Sequence, residues 1–234
     1  MTEIALVADL HGNLPAVEAL DQDIRARGIK KIWCLGDLVG KGPSSAETYD
    51  WAVENCEIIL MGNWDEGIGA RRFARDEFYY HQLGEKRMQG LLSFSMEHIC
   101  IISGRKMRLF HGRPIMAGPF HVHADKEILL PFFSPDIDIL GYADVHRQGQ
   151  RVLDGGRMLF NTGSVGNGLG VAMVQYAILR GELDSEKYAP LEISMVTLPY
   201  DRKRAVRDTE RAEKNGLVNA AAFKKEIITG IYSR

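Results

Sequence analysis

Three short apolar runs, "IALVAD" (4–9), "KIWCLGD" (31–37) and "CEIILMGN" (56–63), each end in polar residues and are separated by two stretches of helical period. Neighbouring parallel strands need a long crossover, usually a helix. The intervening segments "LPAVEALDQDIRARG" (14–28) and "SSAETYDWAVEN" (44–55) provide two. Pro15 suits a first helical turn, Gly28 the position past a helix end, and Ser44 or Ser45 an N-cap. The pattern predicts β-α-β crossovers and a largely parallel sheet. In such a sheet the carboxyl ends of the strands meet at a crevice, which makes the polar residues after each strand candidates for one shared site.

Residues 66–98 read as helical, with Gly84 and Gly90 as breakers. From residue 99 short strands and glycine turns take over, with "SGR" (103–105) and "DGG" (154–156) predicting hairpins and a second, more antiparallel sheet. The charged tail from Asp201 is helical and breaks at Asn215-Gly216. The simplest organisation is one α/β domain over 1–234, with the helices of about 201–230 packing on it or on a second copy of the chain. The 29 Lys and Arg residues nearly cancel the 31 Asp and Glu residues without a block of either sign, which argues against an extended nucleic-acid or membrane footprint and for a small-molecule partner. No apolar run approaches the roughly 20 residues of a spanning helix. Glu3 and Asp9 interrupt any leader-like pattern, so the expected location is cytoplasmic. Cys34, Cys56 and Cys100 are odd in number and lie in or at the edge of apolar runs, as reduced core thiols do.

The polar clusters are chemically coherent. They comprise Asp9, His11 and Asn13 in "ADLHGN", Asp37 in "LGDLVG", and Asn63 and Asp65 in "MGNWDE". His111 and Arg113 follow in "LFHGRP", and Asp144, His146 and Arg147 in "YADVHR". Asp9 and His11, like Asp144 and His146, are two apart, so a persisting strand would point both members of each pair to one face. Asp37 has two oxygens with which to bridge two ions, and Asn63 offers a carbonyl oxygen that protonation cannot remove. Such a mixed oxygen and nitrogen set suits Mn, Fe, Zn or similar divalent ions. Two such ions hold phosphate oxygens, lower the pKa of a shared water and stabilise charge on the attacking and leaving oxygens.

The ordered series D-x-H, G-D-x-x-G, G-N-x-[DE], H-G and a late G-H-x-H-like element, followed by "NTGSVG", resembles the calcineurin-like metallophosphoesterases. The similarity is greatest to their small bacterial and archaeal phosphodiesterase branch and spans about residues 4–170. The resemblance implies a four-layer α-β-β-α sandwich of two mixed sheets with a dinuclear site at the strand ends. By position, Asp9, His11, Asp37 and His146 would hold one ion, and Asp37, Asn63, His111 and one further residue the other. It also implies two divalent cofactor ions, Mn foremost, with Fe, Zn, Ni or Mg as alternatives. The implied activity is hydrolysis of phosphodiesters or nucleotide-type phosphoanhydrides by a water the two ions activate, with Asn63 and Asp65 among the catalytic residues. The alternatives are a phosphomonoesterase for small molecules or phosphoproteins, and a metal-binding regulatory module with weak or no turnover.

Two departures from the family pattern stand out. Where the late motif has two histidines, Gly141 is followed by Tyr142-Ala143-Asp144-Val145-His146, so the first histidine's place falls on Asp144 counting back or on Tyr142 counting forward. The spacing favours Asp144 as a ligand, giving a site with three carboxylates and a preference shifted toward Mn or Mg. Trp64 stands where many relatives have a histidine proposed to protonate the leaving group, and an indole N–H does not titrate. Leaving groups that depart without a proton, such as nucleoside phosphates, suffer least, and the indole offers a face to a base. Asn13, Trp64, Arg113 and Arg147 are the candidate substrate contacts. His121 and His123 lie outside the motifs, yet from the loop after His111 they offer a substitute acid.

Overall fold

The computed structural model describes residues 1–133 and 136–233. It begins with the alternation β1 (Thr2–Val7), α1 (Leu14–Ala26), β2 (Lys31–Cys34), α2 (Ser45–Asn55), β3 (Ile58–Ile59). Next come α3 (Asn63–Gly69), α4 (Glu77–Leu91), β4 (Glu97–Ile102), β5 (Arg105–Phe110), α5 (Lys126–Leu129) and β6 (Ile139–Tyr142). The chain continues through β7 (Gly149–Val152), β8 (Met158–Asn161), β9 (Val174–Gly181), β10 (Glu192–Leu198), α6 (Arg202–Glu213) and α7 (Ala220–Thr229).

These strands form two five-stranded mixed sheets, ordered β10-β9-β1-β2-β3 and β4-β5-β6-β8-β7. In the first, β1, β2 and β3 run parallel as the crossovers predict, and β9 and β10 extend the sheet antiparallel. The second is less antiparallel than expected. Its turns at Ser103-Gly104 and Gly155-Gly156, all at positive φ, make the two hairpins, but β5, β6 and β8 at its centre are parallel. The reason is that β6 returns only after the long 111–138 excursion, which hairpin signals cannot reveal. The stretch expected to be helical over 66–98 is likewise divided: α3 ends at Gly69, Gly84 bends α4 with φ 67° and ψ 169°, and β4 begins at Glu97.

β1 shows how the layers arise. Ile4, Leu6 and Ala8 face Met107, Leu109, Ile139 and Phe160 of the other sheet, whereas Ala5 and Val7 face Val17, Leu20 and Ile24 of α1. Both faces are apolar because both are covered, which is the signature of a sheet between layers. The outer face of the second sheet is covered by the 115–133 segment around Phe110, Leu140 and Tyr142, with α5 its only α-helix. α6 packs on α1 and α7, so the C-terminal helices lie against their own chain. Cys34 is buried, Cys56 and Cys100 are partly buried, and all three are free thiols. No helix among the described residues is long and apolar enough to cross a membrane.

Candidate metal centre

β1 stops at Val7 and β6 at Tyr142, so Asp9, His11, Asp144 and His146 lie just beyond their strands. Their pairing is therefore not that of alternate residues on an extended strand. Asp9 (φ 53°), His11 (φ 46°), Asp37 (φ 55°), Asp144 (φ 68°) and His146 (φ 56°) are five of the ten described non-glycine residues in the left-handed region. Each such residue costs on the order of 1–3 kcal/mol unless its surroundings impose it, and such residues gather at functional sites. The constraint here is visible in backbone bonds: Asp9 N–H donates to Gly36 O at 2.9 Å, His11 N–H to Asp37 O at 3.1 Å and Gly166 N–H to Asp9 O at 2.8 Å.

Each histidine is oriented by its far nitrogen. His11 Nδ1 lies 3.2 Å from Val39 O, His111 Nδ1 2.8 Å from Leu35 O and His146 Nδ1 3.0 Å from Asn167 O. A carbonyl only accepts, so Nδ1 must carry the hydrogen and each Nε2 is left to point inward. Two of those Nε2 atoms, of His11 and His146, stand 3.1 Å apart. Burial, and next the neighbouring His146, hold His11 well below the usual histidine range, so its inward Nε2 offers a lone pair, the donor a cation would use.

The oxygens point to the same conclusion. Asp9 Oδ1 is 3.3 Å from His146 Nε2, 3.7 Å from His11 Nε2 and 3.8 Å from His111 Nε2. Asp37 Oδ2 is 3.2 Å from His111 Nε2 and 3.6 Å from His11 Nε2. Both Asp9 oxygens, Asn63 Oδ1 and His111 Nε2 are buried without a hydrogen-bond partner. Such groups are costly to leave unpaired, and all four are metal ligands in type. Asp9 with His11 and His146, and Asp9 with Asp37 and His111, form two groups of ligand spacing. Asp9 is common to both groups. Asp37 turns Oδ2 toward both His111 and His11, and its Oδ1 also accepts the Trp64 backbone N–H at 2.8 Å. Burial opposes protonation of His111 most strongly, yet Asp37, Asp9 and Asp144 together push its pKa up to about 10.

The calcineurin-like phosphoesterase family matches residues 2–154. The chain belongs to that family. It is 29% identical over 246 residues to an uncharacterised protein of Methanocaldococcus jannaschii, covering 92% of this chain and 93% of that one. It shares its fold with a metallophosphoesterase from Sphaerobacter thermophilus (TM-score 0.74, 22% identity, 98% and 99% of the two chains). A hypothetical protein from Pyrococcus horikoshii also has this fold (TM-score 0.78, 17% identity, all of both chains).

Against the pattern of the calcineurin-like phosphoesterases, Asp144 is the main departure. Its carboxylate does not join either ligand group: Arg113 Nε lies 3.0 and 2.9 Å from its two oxygens and Arg113 Nη2 2.5 Å from Oδ1. Burial works against its charge, and Arg113 with His111 outweighs this, so the carboxyl stays below the usual range. Tyr142 is no ligand either, since its hydroxyl donates to Phe120 O at 3.1 Å within the core over the second sheet. Asp65, expected among the catalytic residues, is fully buried and does not line the cavity over the centre. Oδ2 accepts from Asp37 N at 2.7 Å and Gly62 N at 3.0 Å, and Oδ1 from Leu38 N at 2.9 Å, so it fixes the Asp37 loop. Burial and then Asp37 push its pKa up to about 7. Asn13, expected to contact substrate, is buried and donates to Gly166 O at 2.6 Å, tying down the "GSVG" turn.

A cavity of about 770 Å³ opens over the centre. Trp64, Arg113 and Arg147 line it as the sequence suggests, with His121 at its wall but not His123. The Trp64 ring stands edge-on to His11, centroids 5.8 Å apart. Lys41, Arg72, Phe73, Arg75 and Tyr232 complete much of the lining and were not singled out in the sequence. Nor was Glu226 of α7, which is buried and accepts from Asn167 Nδ2 at 2.6 Å, Lys41 Nζ at 3.2 Å and Ser233 N at 2.8 Å. The carbonyl of that same Asn167 orients His146. The only signal for this support was the "NTGSVGN" segment, whose asparagine and glycines suit a tight loop.

Proposed function

We propose that the chain is a metal-dependent phosphoesterase that hydrolyses nucleotide-type phosphodiesters or phosphoanhydrides at a centre of two divalent ions, Mn foremost. The observation that carries this reading is the set of three inward Nε2 atoms, each locked by a carbonyl on its far nitrogen, around the orphaned oxygens of Asp9. Asp9, His11 and His146, with Asp37 between, would hold one ion; Asp37, Asn63 and His111, with Asp9, the other. When bound, the ions supply Lewis acidity toward the phosphoryl group and an acidified water. The chain's own part is to aim the ligand atoms inward, to add the apolar Leu169 and Val145 to the cavity lining, and to draw in anions with Lys41, Arg72, Arg75 and Arg147. The cavity is of nucleotide size. Trp64 and Phe73 on its wall offer aromatic faces to a base, and Trp64 supplies no titratable proton to a leaving group.

The test is hydrolysis by the Mn-loaded protein of a dinucleoside polyphosphate, a nitrophenyl diester, and nitrophenyl and simple alkyl monoesters. The nucleotide and diester substrates are expected to turn over at least tenfold faster than the alkyl monoester. Equal rates would refute the substrate class. Stoichiometric Mn without hydrolysis of any ester would favour the metal-binding module.

A further inference from the structure

The side chain of Asp144 is only 2% exposed, and its carboxylate sits 3.9 Å from His111 Nε2, close enough to the centre to be mistaken for a ligand. Its partner is already present. Arg113 approaches edge-on through Nε and Nη2, and the three contacts occupy both carboxylate oxygens. The pairing is built into the backbone of "HGR" (111–113). Gly112 adopts φ 146°, and a Cβ there would lie 2.6 Å from the Asp144 Cβ, so only glycine lets the two segments come this close. Ala143 N–H donates to His111 O at 2.7 Å and holds them in register. To ligate an ion as well, Asp144 would have to share with it the charge that three bonds already commit to a guanidinium that cannot lose its proton.

The outer edge of that guanidinium is the functional part. Arg113 is 39% exposed on its side chain, lines the cavity beside Asp37, Asn63 and His146, and makes no hydrogen bond through Nη1 among the described residues. We propose that Asp144 is not a metal ligand but the anchor of Arg113, whose free Nη1 edge binds a phosphoryl oxygen over the centre. In place of a neutral ligand that would complete an ion, the chain fixes a permanent positive charge on the substrate's side. The metal centre is then complete without residue 144, and the three-carboxylate site with its shift toward harder ions does not arise. Asp144 is a positioning residue; Arg113 touches substrate.

The inference rests on the proposed phosphoesterase function, but its test needs no turnover. The full-length protein and the variants Asp144→Asn, Arg113→Met and the double variant are titrated with Mn, and the Mn-loaded forms with inorganic phosphate. Bound Mn is also counted by elemental analysis. Asp144→Asn is expected to keep the wild-type number of ions with affinity within about threefold, short of the roughly 10- to 100-fold loss that follows when a ligand's support is removed. Each single variant is expected to weaken phosphate about tenfold, as loss of a charge-assisted contact does, and the double variant no further than Arg113→Met. Loss of one ion or a tenfold fall in Mn affinity in Asp144→Asn would overturn the inference, and so would unchanged phosphate affinity in Arg113→Met. If Asp144→Asn fails to fold, Arg113→Met at its part-exposed position decides alone, by weakened phosphate with the Mn count not lowered or by phosphate affinity that does not move. A wild-type protein that binds Mn and phosphate yet hydrolyses no ester would sink the functional reading and leave this one intact.

Discussion

Asp65→Asn separates a group that acts on substrate from one that acts through Asp37. The wild-type carboxylate receives three backbone N–H groups, from Asp37, Leu38 and Gly62. An amide keeps one acceptor oxygen and turns an NH₂ toward the remaining donors, so it resembles the protonated acid. Burial and Asp37 push the wild-type group up to about 7, above its unfolded value of 3.8. The folded metal-free chain therefore holds more protons than the unfolded chain in that window, and its stability falls as pH rises from about 4 to about 7, by at most about 1.4 kcal/mol per pH unit from this one group. Asp65→Asn should lose that slope and, at pH 5, stay within about 1 kcal/mol of wild type in urea unfolding, since Asn mimics the acid form. Bound cations favour the ionised acid, which the variant lacks, and the Asp37 loop it grips is then looser. Mn affinity at pH 8 should fall about 10- to 100-fold, equivalent to about 1.4–2.7 kcal/mol. Near-normal Mn affinity together with abolished turnover would refute the reasoning and return Asp65 to a direct catalytic role.

Other consequences follow from the same geometry. In Gly62→Ala the new methyl would lie 2.1 Å from Asp37 Oδ1 and 2.5 Å from Asp37 N, so Asp37 must move; urea unfolding should show a loss of about 1–3 kcal/mol and elemental analysis a loss of bound Mn. His111, pushed up from 6.5 to about 10, should release a proton on Mn binding at pH 8, read as a calorimetric enthalpy that changes with buffer ionisation enthalpy. For the metal-free chain the sign is that this histidine's stabilisation is full below pH 6.5 and is lost as pH rises toward 10, so the melting temperature should fall over that interval. Glu226→Gln should lower stability by about 2–4 kcal/mol in urea, because Lys41 loses its buried partner, while Mn binding weakens through Asn167 and His146; an unchanged melting curve would remove α7 from the support of the centre.

Sequence reasoning brought the candidate ligands together for a partly wrong geometric reason. Strand-helix alternation correctly placed Asp9, Asp37 and Asn63 at neighbouring strand ends, since hydrophobic period and crossover length decide that much. The spacing of two in Asp9-x-His11 and Asp144-x-His146 then suggested ligands sharing the face of a strand. The strands have ended by then, and the side chains converge through left-handed residues that tertiary bonds impose and local propensity disfavours. Motif order survived this error because it records which residues meet, and not how.

What remained illegible was made of backbone and of distant sequence. The three histidines owe their orientation to the carbonyls of Val39, Leu35 and Asn167, and a carbonyl belongs to every residue type, so no letter announces it. The pairing of Asp144 with Arg113 was hidden for a related reason: the arginine lies 31 positions earlier, in a separate motif. An acid beside a metal site and an arginine beside a metal site each look like separate contacts until the glycine between His111 and Arg113 is seen to bring their backbones together. A buried carboxylate near cationic groups can serve either an ion or a guanidinium, and the pKa shift is downward in both cases. The directions of the bonds are what favour the guanidinium here, since both oxygens accept from Arg113.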